Sequence, residues 1–86
     1  VPLYQITGRD IIFDWLGGQT DSERTMAMLD WLVEFAGDPH RYGQRVPGVR
    51  APAYIAIVPL REPVVVRYLL AEQFHTINVL AIGPLP

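Results

Sequence analysis

Three short runs rich in β-branched and aromatic residues, Ala53 to Pro59, Val64 to Leu70 and Thr76 to Ile82, constrain this chain more than any other feature. Each is about one strand long. They are joined by Leu60-Arg61-Glu62-Pro63 and by Ala71-Glu72-Gln73-Phe74-His75, connections too short for a crossover helix, so the three strands form an antiparallel meander. With 86 residues there is room for one hydrophobic core, and residues 1–86 are read as a single domain.

The segments before the meander carry a different period. Leu3 to Ile6 predicts a short opening strand, and Thr7 a cap for a helix over Arg9 to Leu16, which Gly17 and Gly18 end. Thr20 and Glu23 have the spacing of a capping box, in which hydroxyl and carboxylate satisfy the amides left open by a first helical turn. The helix they start carries Met26, Leu29, Leu32, Val33 and Phe35 or Ala36 as its apolar stripe, and Gly37 and Pro39 stop it. Trp15 and Trp31, each in an Asp-Trp-Leu triplet, read as packing between the helices, with interface anchors as the alternative. His40 to Pro52 shows no sustained period and reads as a connecting loop. The order strand, helix, helix, strand, strand, strand predicts an α+β fold with both helices on one face of an antiparallel sheet.

Half of the residues are apolar and 19% are charged, a composition for a packed body and not for a disordered segment. There is no cysteine, so neither disulfides nor thiolate metal sites are available, and a cytoplasmic location is expected. No apolar run approaches the roughly 20 residues of a membrane-spanning helix, and the first residues lack the basic-then-apolar order of a leader. No metal or cofactor is expected: His40 and His75 lie far apart in sequence, and Gly17-Gly18 lacks the lysine and further glycines of a phosphate loop. The net charge of −2 conceals an asymmetry. Residues 1–39 hold seven acids against Arg9 and Arg24, while residues 40–86 hold five arginines against Glu62 and Glu72. A chain that is acidic overall lacks the charge of a dedicated nucleic-acid binder.

The helical segments around Asp14-Trp15-Leu16 and Ser22 to Leu32, the connection Asp38 to Gly48 and the run Ala53 to Gly83 together resemble the RelE/ParE superfamily of bacterial toxins over nearly the whole chain. The resemblance implies an antitoxin partner, and an activity that in some members is ribosome-dependent cleavage of messenger RNA and in others poisoning of DNA gyrase. It also marks departures. The Arg-x-x-Tyr pattern common in these toxins falls on Val65-Val66-Arg67-Tyr68, keeping the tyrosine and not the arginine. The Tyr-Lys-x-Lys pattern falls on Tyr54-Ile55-Ala56-Ile57, with isoleucine at both cation positions, and the basic tail is replaced by Pro84-Leu85-Pro86. RNA cleavage needs cations on the scissile phosphate, a base and an acid. The leading expectation is therefore a toxin that binds its target without cutting RNA, gyrase-poison-like or degenerate, and neutralised by an antitoxin.

Two alternatives stand beside it. A ribonuclease site rebuilt from Arg45, Arg50, Arg67 and His75 would require these four side chains to converge. A non-toxic assembly protein would pair its exposed sheet face with another copy or another chain. The residues expected to contact a partner are His40, Arg41, Arg45, Arg50, Ile55, Ile57 and Val65, the basic stretch gripping phosphate or an acidic tail unless it serves only solubility. Arg67 lies across the strand from Val64, Val66, Tyr68 and Leu70, as a replacement for the lost arginine or as a rim residue with its stem on apolar neighbours. Glu72 and His75 flank a hairpin as a solvated turn or as a proton-exchanging pair.

Overall fold

The computed structural model describes Leu3 to Leu85. Its elements are β1 (Gln5–Thr7), α1 (Arg9–Gly17), α2 (Ser22–Gly37), α3 (Pro39–Tyr42), β2 (Gly43–Arg45), β3 (Ala53–Val58), β4 (Val64–Ala71) and β5 (Thr76–Pro84). One 3-10 turn, Glu72–Phe74, joins β4 to β5. The five strands lie in the order β1-β5-β4-β3-β2. The meander β3-β4-β5 is antiparallel as its short connections require, and β2 extends it antiparallel to β3. β1 pairs with β5 in parallel, so the sheet is mixed and not wholly antiparallel. An opening strand that reaches the sheet edge beside the last strand has no hairpin to fix its direction.

Alternation along the strands sends one set of side chains toward the helices. Ala56, Val58, Val64, Val66, Tyr68, Leu70, Ile77 and Val79 meet Ile12 of α1 and Met28, Trp31, Leu32 and Phe35 of α2 in one core. Fully burying side chains of this size stabilises by about 1.5–3 kcal/mol each. Trp31 stacks on Phe35 at 4.6 Å, and Phe35 meets Tyr68 edge to face at 4.9 Å. Trp31 thus packs within the core, while Trp15 is half-buried under the Arg24 guanidinium, 5.5 Å from its ring centre. In β5 the register shifts by one residue opposite Arg67 and Tyr68, a bulge at Leu80 that turns Ile82 toward the core side, opposite Val66.

Local chemistry moves several predicted boundaries. Thr7 does not cap α1: its hydroxyl bonds Asn78 Oδ1 across the sheet at 3.1 Å, and Gly8, in the left-handed conformation at φ 79°, takes the N-cap position. The cap of α2 is Asp21 and not Thr20, its carboxylate accepting the Glu23 amide at 2.9 Å. The expected loop from His40 contains α3 and β2, because Asp38 caps a turn that begins with Pro39, a residue pre-set for the first helical position. The α2 stripe is displaced as well. Met28, Trp31, Leu32, Phe35 and Ala36 face the sheet, whereas Met26, Leu29 and Val33 face away from it.

Candidate functional site

Among the described residues no helix covers the second face of the sheet. Cross-strand register sets Gln44, Ile55, Arg67 and Ala81 in one row across β2, β3, β4 and β5. Ile57, Val65 and Gly83 form the next row on one side, and Ala53, Leu69, Asn78 and Thr7 the next on the other. The middle of the surface is therefore apolar around a single guanidinium, with Ile57 55% exposed and Ile55 39%, and Gln44, Asn78 and Thr7 lie toward its margins. Ile55, Ile57 and Val65, expected to contact a partner, come together here with Arg67. At the β2 edge the face runs into a groove of about 240 Å³ lined by Arg41, Tyr42, Gly43, Gln44, Ile55 and Ile57.

The remaining predicted site residues lie elsewhere. Arg45 is opposite Tyr54, and so follows the helix-side alternation. Arg50 lies in the exposed segment between β2 and β3, and His75 in the β4–β5 turn at φ 51°. Leu70 bonds the Pro52 carbonyl at 3.0 Å, which places both connections at the same end of the sheet. Arg67 is four residues up β4 from Ala71, about 13 Å along the strand, and points to the opposite face. Arg45, Arg50 and His75 thus lie toward one end of the sheet, Arg45 on the edge strand β2 and His75 against Tyr4 next to the opposite edge strand, while Arg67 lies apart.

That sheet end also holds a cluster in which Glu72 is the hub. One carboxylate oxygen pairs with His40 Nε2 and the other accepts the Tyr4 hydroxyl at 2.7 Å. The Tyr4 ring stacks on His75, with centres 3.7 Å apart, and His40 meets Tyr54 edge to face. The sequence suggested a Glu72–His75 relation and missed Tyr4 and His40, which lie 68 and 32 residues from Glu72 along the chain. Only the pairing of β1 with β5 and the turn of α3 bring them in.

The Tyr4 hydrogen bond first, and then that of His40, hold the Glu72 carboxyl below its ordinary value; the same bond to Glu72, followed by desolvation, raises the Tyr4 phenol. A depressed carboxyl contributes stability that is complete above the ordinary value of 4.5 and is lost as the pH falls through the lower folded value. Glu72→Gln is therefore expected to remove part of the acid-side decline in urea midpoint between pH 5 and pH 2. Because the carboxylate is half-exposed the difference will be small, and superimposable midpoint–pH curves would contradict this role for the clasp. Among the described residues no group of three His, Cys, Asp or Glu is placed to hold a metal ion. No described helix is long and apolar enough to cross a membrane.

No protein-family model matches the chain, and no curated protein matches it in sequence. The architecture, in contrast, superposes on a chain from the crystal structure of the RelBE2 toxin–antitoxin complex of Mycobacterium tuberculosis. The TM-score is 0.69 at 16% identity, and the match covers 98% of this chain and 100% of that one. The fold is RelE-like. The positions at which the sequence resemblance anticipated two cations are Ile55 and Ile57, and both lie on the open face beside Arg67. The RelE-like sheet therefore presents aliphatic carbon where phosphate chemistry would need charge. Its described rows contain no carboxylate or imidazole to serve as acid or base.

Proposed function

We propose that the protein is the toxin-like member of a toxin–antitoxin pair, acting in the cytoplasm by binding its target and not by cutting RNA, with an antitoxin as its neutralising partner. The carrying observation is the open sheet face, on which Ile55, Ile57, Val65 and Leu69 surround one arginine. A surface of this kind gains free energy by excluding water and uses Arg67 to orient what it binds. It lacks the paired cations and the acid–base groups that stabilise a phosphodiester transition state. A gyrase-like protein target is the finer form of this reading.

Induced expression in a bacterial host, with growth, RNA integrity and DNA supercoiling followed in the same cultures, tests it. Growth arrest with intact RNA and relaxed or broken DNA is the expected result. Ile55→Asp and Ile57→Asp are each expected to weaken target binding by at least about 2 kcal/mol, roughly thirtyfold, if these residues anchor the interface, and so to restore growth in a protein that circular dichroism shows to be folded. Cleaved messages would overturn the binding mechanism in favour of a ribonuclease, and unimpeded growth would overturn toxicity in favour of an assembly protein.

A further inference from the structure

α2 is apolar on two sides. Its inner side is spent on the core, yet Met26, Leu29 and Val33, spaced by three and four residues, form a second row that is 57%, 40% and 62% exposed. The row does not stop at the helix end. Gly37 continues it, and the Leu3 Cδ2 lies 3.6 Å from where a Cβ on Gly37 would stand, adding a fourth apolar side chain that is itself 57% exposed. From Met26 to Gly37 the strip is about 17 Å long at 1.5 Å per residue. Scattered exposed aliphatics need no explanation, but a helix with apolar rows on opposite sides is built to be covered on both.

A second row identifies what covers it. Glu23, Asp30 and Glu34 recur beside the apolar strip, with Ala27 between them, and all three are exposed. Glu34 accepts the Tyr42 hydroxyl at 3.3 Å. Arg24, the one cation of α2, has its Nε on Gln19 Oε1 at 3.0 Å and its guanidinium over Trp15, at the groove that Glu23, Ala27 and Arg61 also line. The only ion pair among the described residues, His40 with Glu72, lies off this face. A second copy of this chain would bring its own row of carboxylates, and an antiparallel two-fold contact would set the two acidic rows side by side.

We propose that the outer face of α2 docks a basic amphipathic helix of another protein, its aliphatic side chains on Met26, Leu29, Val33 and Leu3 and its lysines or arginines on Glu23, Asp30 and Glu34. This is helix-on-helix recognition in which the apolar strip supplies affinity and the acidic row selects the sign of the partner's charge. The surface is separate from the open sheet face, and its test is independent of toxicity.

The test uses two synthetic amphipathic helical peptides with leucine on one face, flanked by lysine in one and by glutamate in the other, titrated into the intact protein by calorimetry and by amide chemical-shift mapping. The lysine peptide is expected to bind at least about tenfold more tightly than the glutamate peptide, to weaken with added salt and to shift amides of α2. Leu29→Asp or Val33→Asp should abolish binding without unfolding, both sites being exposed. Asp30→Lys with Glu34→Lys should reverse the preference toward the glutamate peptide. Absence of binding, equal binding of the two peptides, shifts centred on Ile55 and Ile57, or a dimer of the chain alone that Val33→Asp dissociates would each overturn the proposal. Growth inhibition lost in Ile55→Asp but kept in Val33→Asp would separate this surface from the sheet face.

Discussion

Gly8→Ala is expected to be among the most damaging single substitutions in the chain. Gly8 sits at φ 79°, and an added Cβ would stand 2.3 Å from the Val79 carbonyl oxygen in the β5 backbone. The left-handed conformation costs alanine about 1 kcal/mol or somewhat more. The clash adds about 1–3 kcal/mol, because α1 must lift from β5 when no side chain can swing aside. A total of at least about 2 kcal/mol is a large share of the 5–15 kcal/mol that holds a domain of this kind together. For a chain of this length it corresponds to a fall in Tm of about 8 °C or more. Gly48 provides the control: its φ is 77°, yet nothing lies within 4 Å of the added carbon, so Gly48→Ala should cost only the backbone term. Equal losses in thermal unfolding of the two variants would show that the close approach of α1 to β5 carries no weight.

Gly43→Ala should be comparably severe for a steric and not a conformational reason. Its backbone is extended, a shape any residue adopts, but the new Cβ would overlap the Tyr68 hydroxyl and stand 2.8 Å from the ring carbon that bears it. Tyr68 has no room to retreat. It is fully buried, stacked on Tyr54 at 5.6 Å and against Phe35, and its hydroxyl donates to the Pro39 carbonyl at 3.1 Å. Burial first, and then Tyr54, pushes its phenol well above the ordinary value, so the group stays neutral. Gly43→Ala is expected to cost about 3 kcal/mol by overpacking, and Tyr68→Phe about 1–2 kcal/mol by leaving the Pro39 carbonyl without its donor. The two should be strongly non-additive, since deleting the hydroxyl removes the worst overlap. In denaturant melts the double variant should be at least about 1 kcal/mol more stable than the sum of the single losses predicts. Simple additivity would mean that the strand moves and the ring does not resist.

The legible parts of the fold were those in which one local signal had no competitor. The three strands of the meander and their antiparallel order followed from β-branched runs on short connections, and both helices from their periods. The errors arose where two partners competed for one group. Thr7 had a serviceable capping hydroxyl, but Asn78 across the sheet took it. On α2 both apolar rows have helical spacing, and periodicity alone does not say which row meets the sheet. The large Trp31 and Phe35, with Met28, settle inward because they fill the space above Tyr68. The open sheet face was readable in part, since alternation already set Val65 and Arg67 apart from Tyr68. The Tyr4–Glu72–His40 cluster left no local trace, being assembled by pairings that only the finished sheet creates.

The parallel pairing of β1 with β5 also governs the order in which this molecule is completed. Thr7 and Asn78, hydrogen-bonded neighbours in the sheet, are separated by 71 positions in the chain. During synthesis β5 emerges well after β1, so at about 5–20 residues per second β1 waits several seconds for its partner. Closing so long a loop is also among the slower elementary steps. The meander with α2 over it can form before β1 docks, and the Tyr4–Glu72 bond then becomes a latch that closes late. The opening segment is thus the last to be secured, and until it docks the outer edge of β5 is open to the strand of any neighbouring chain.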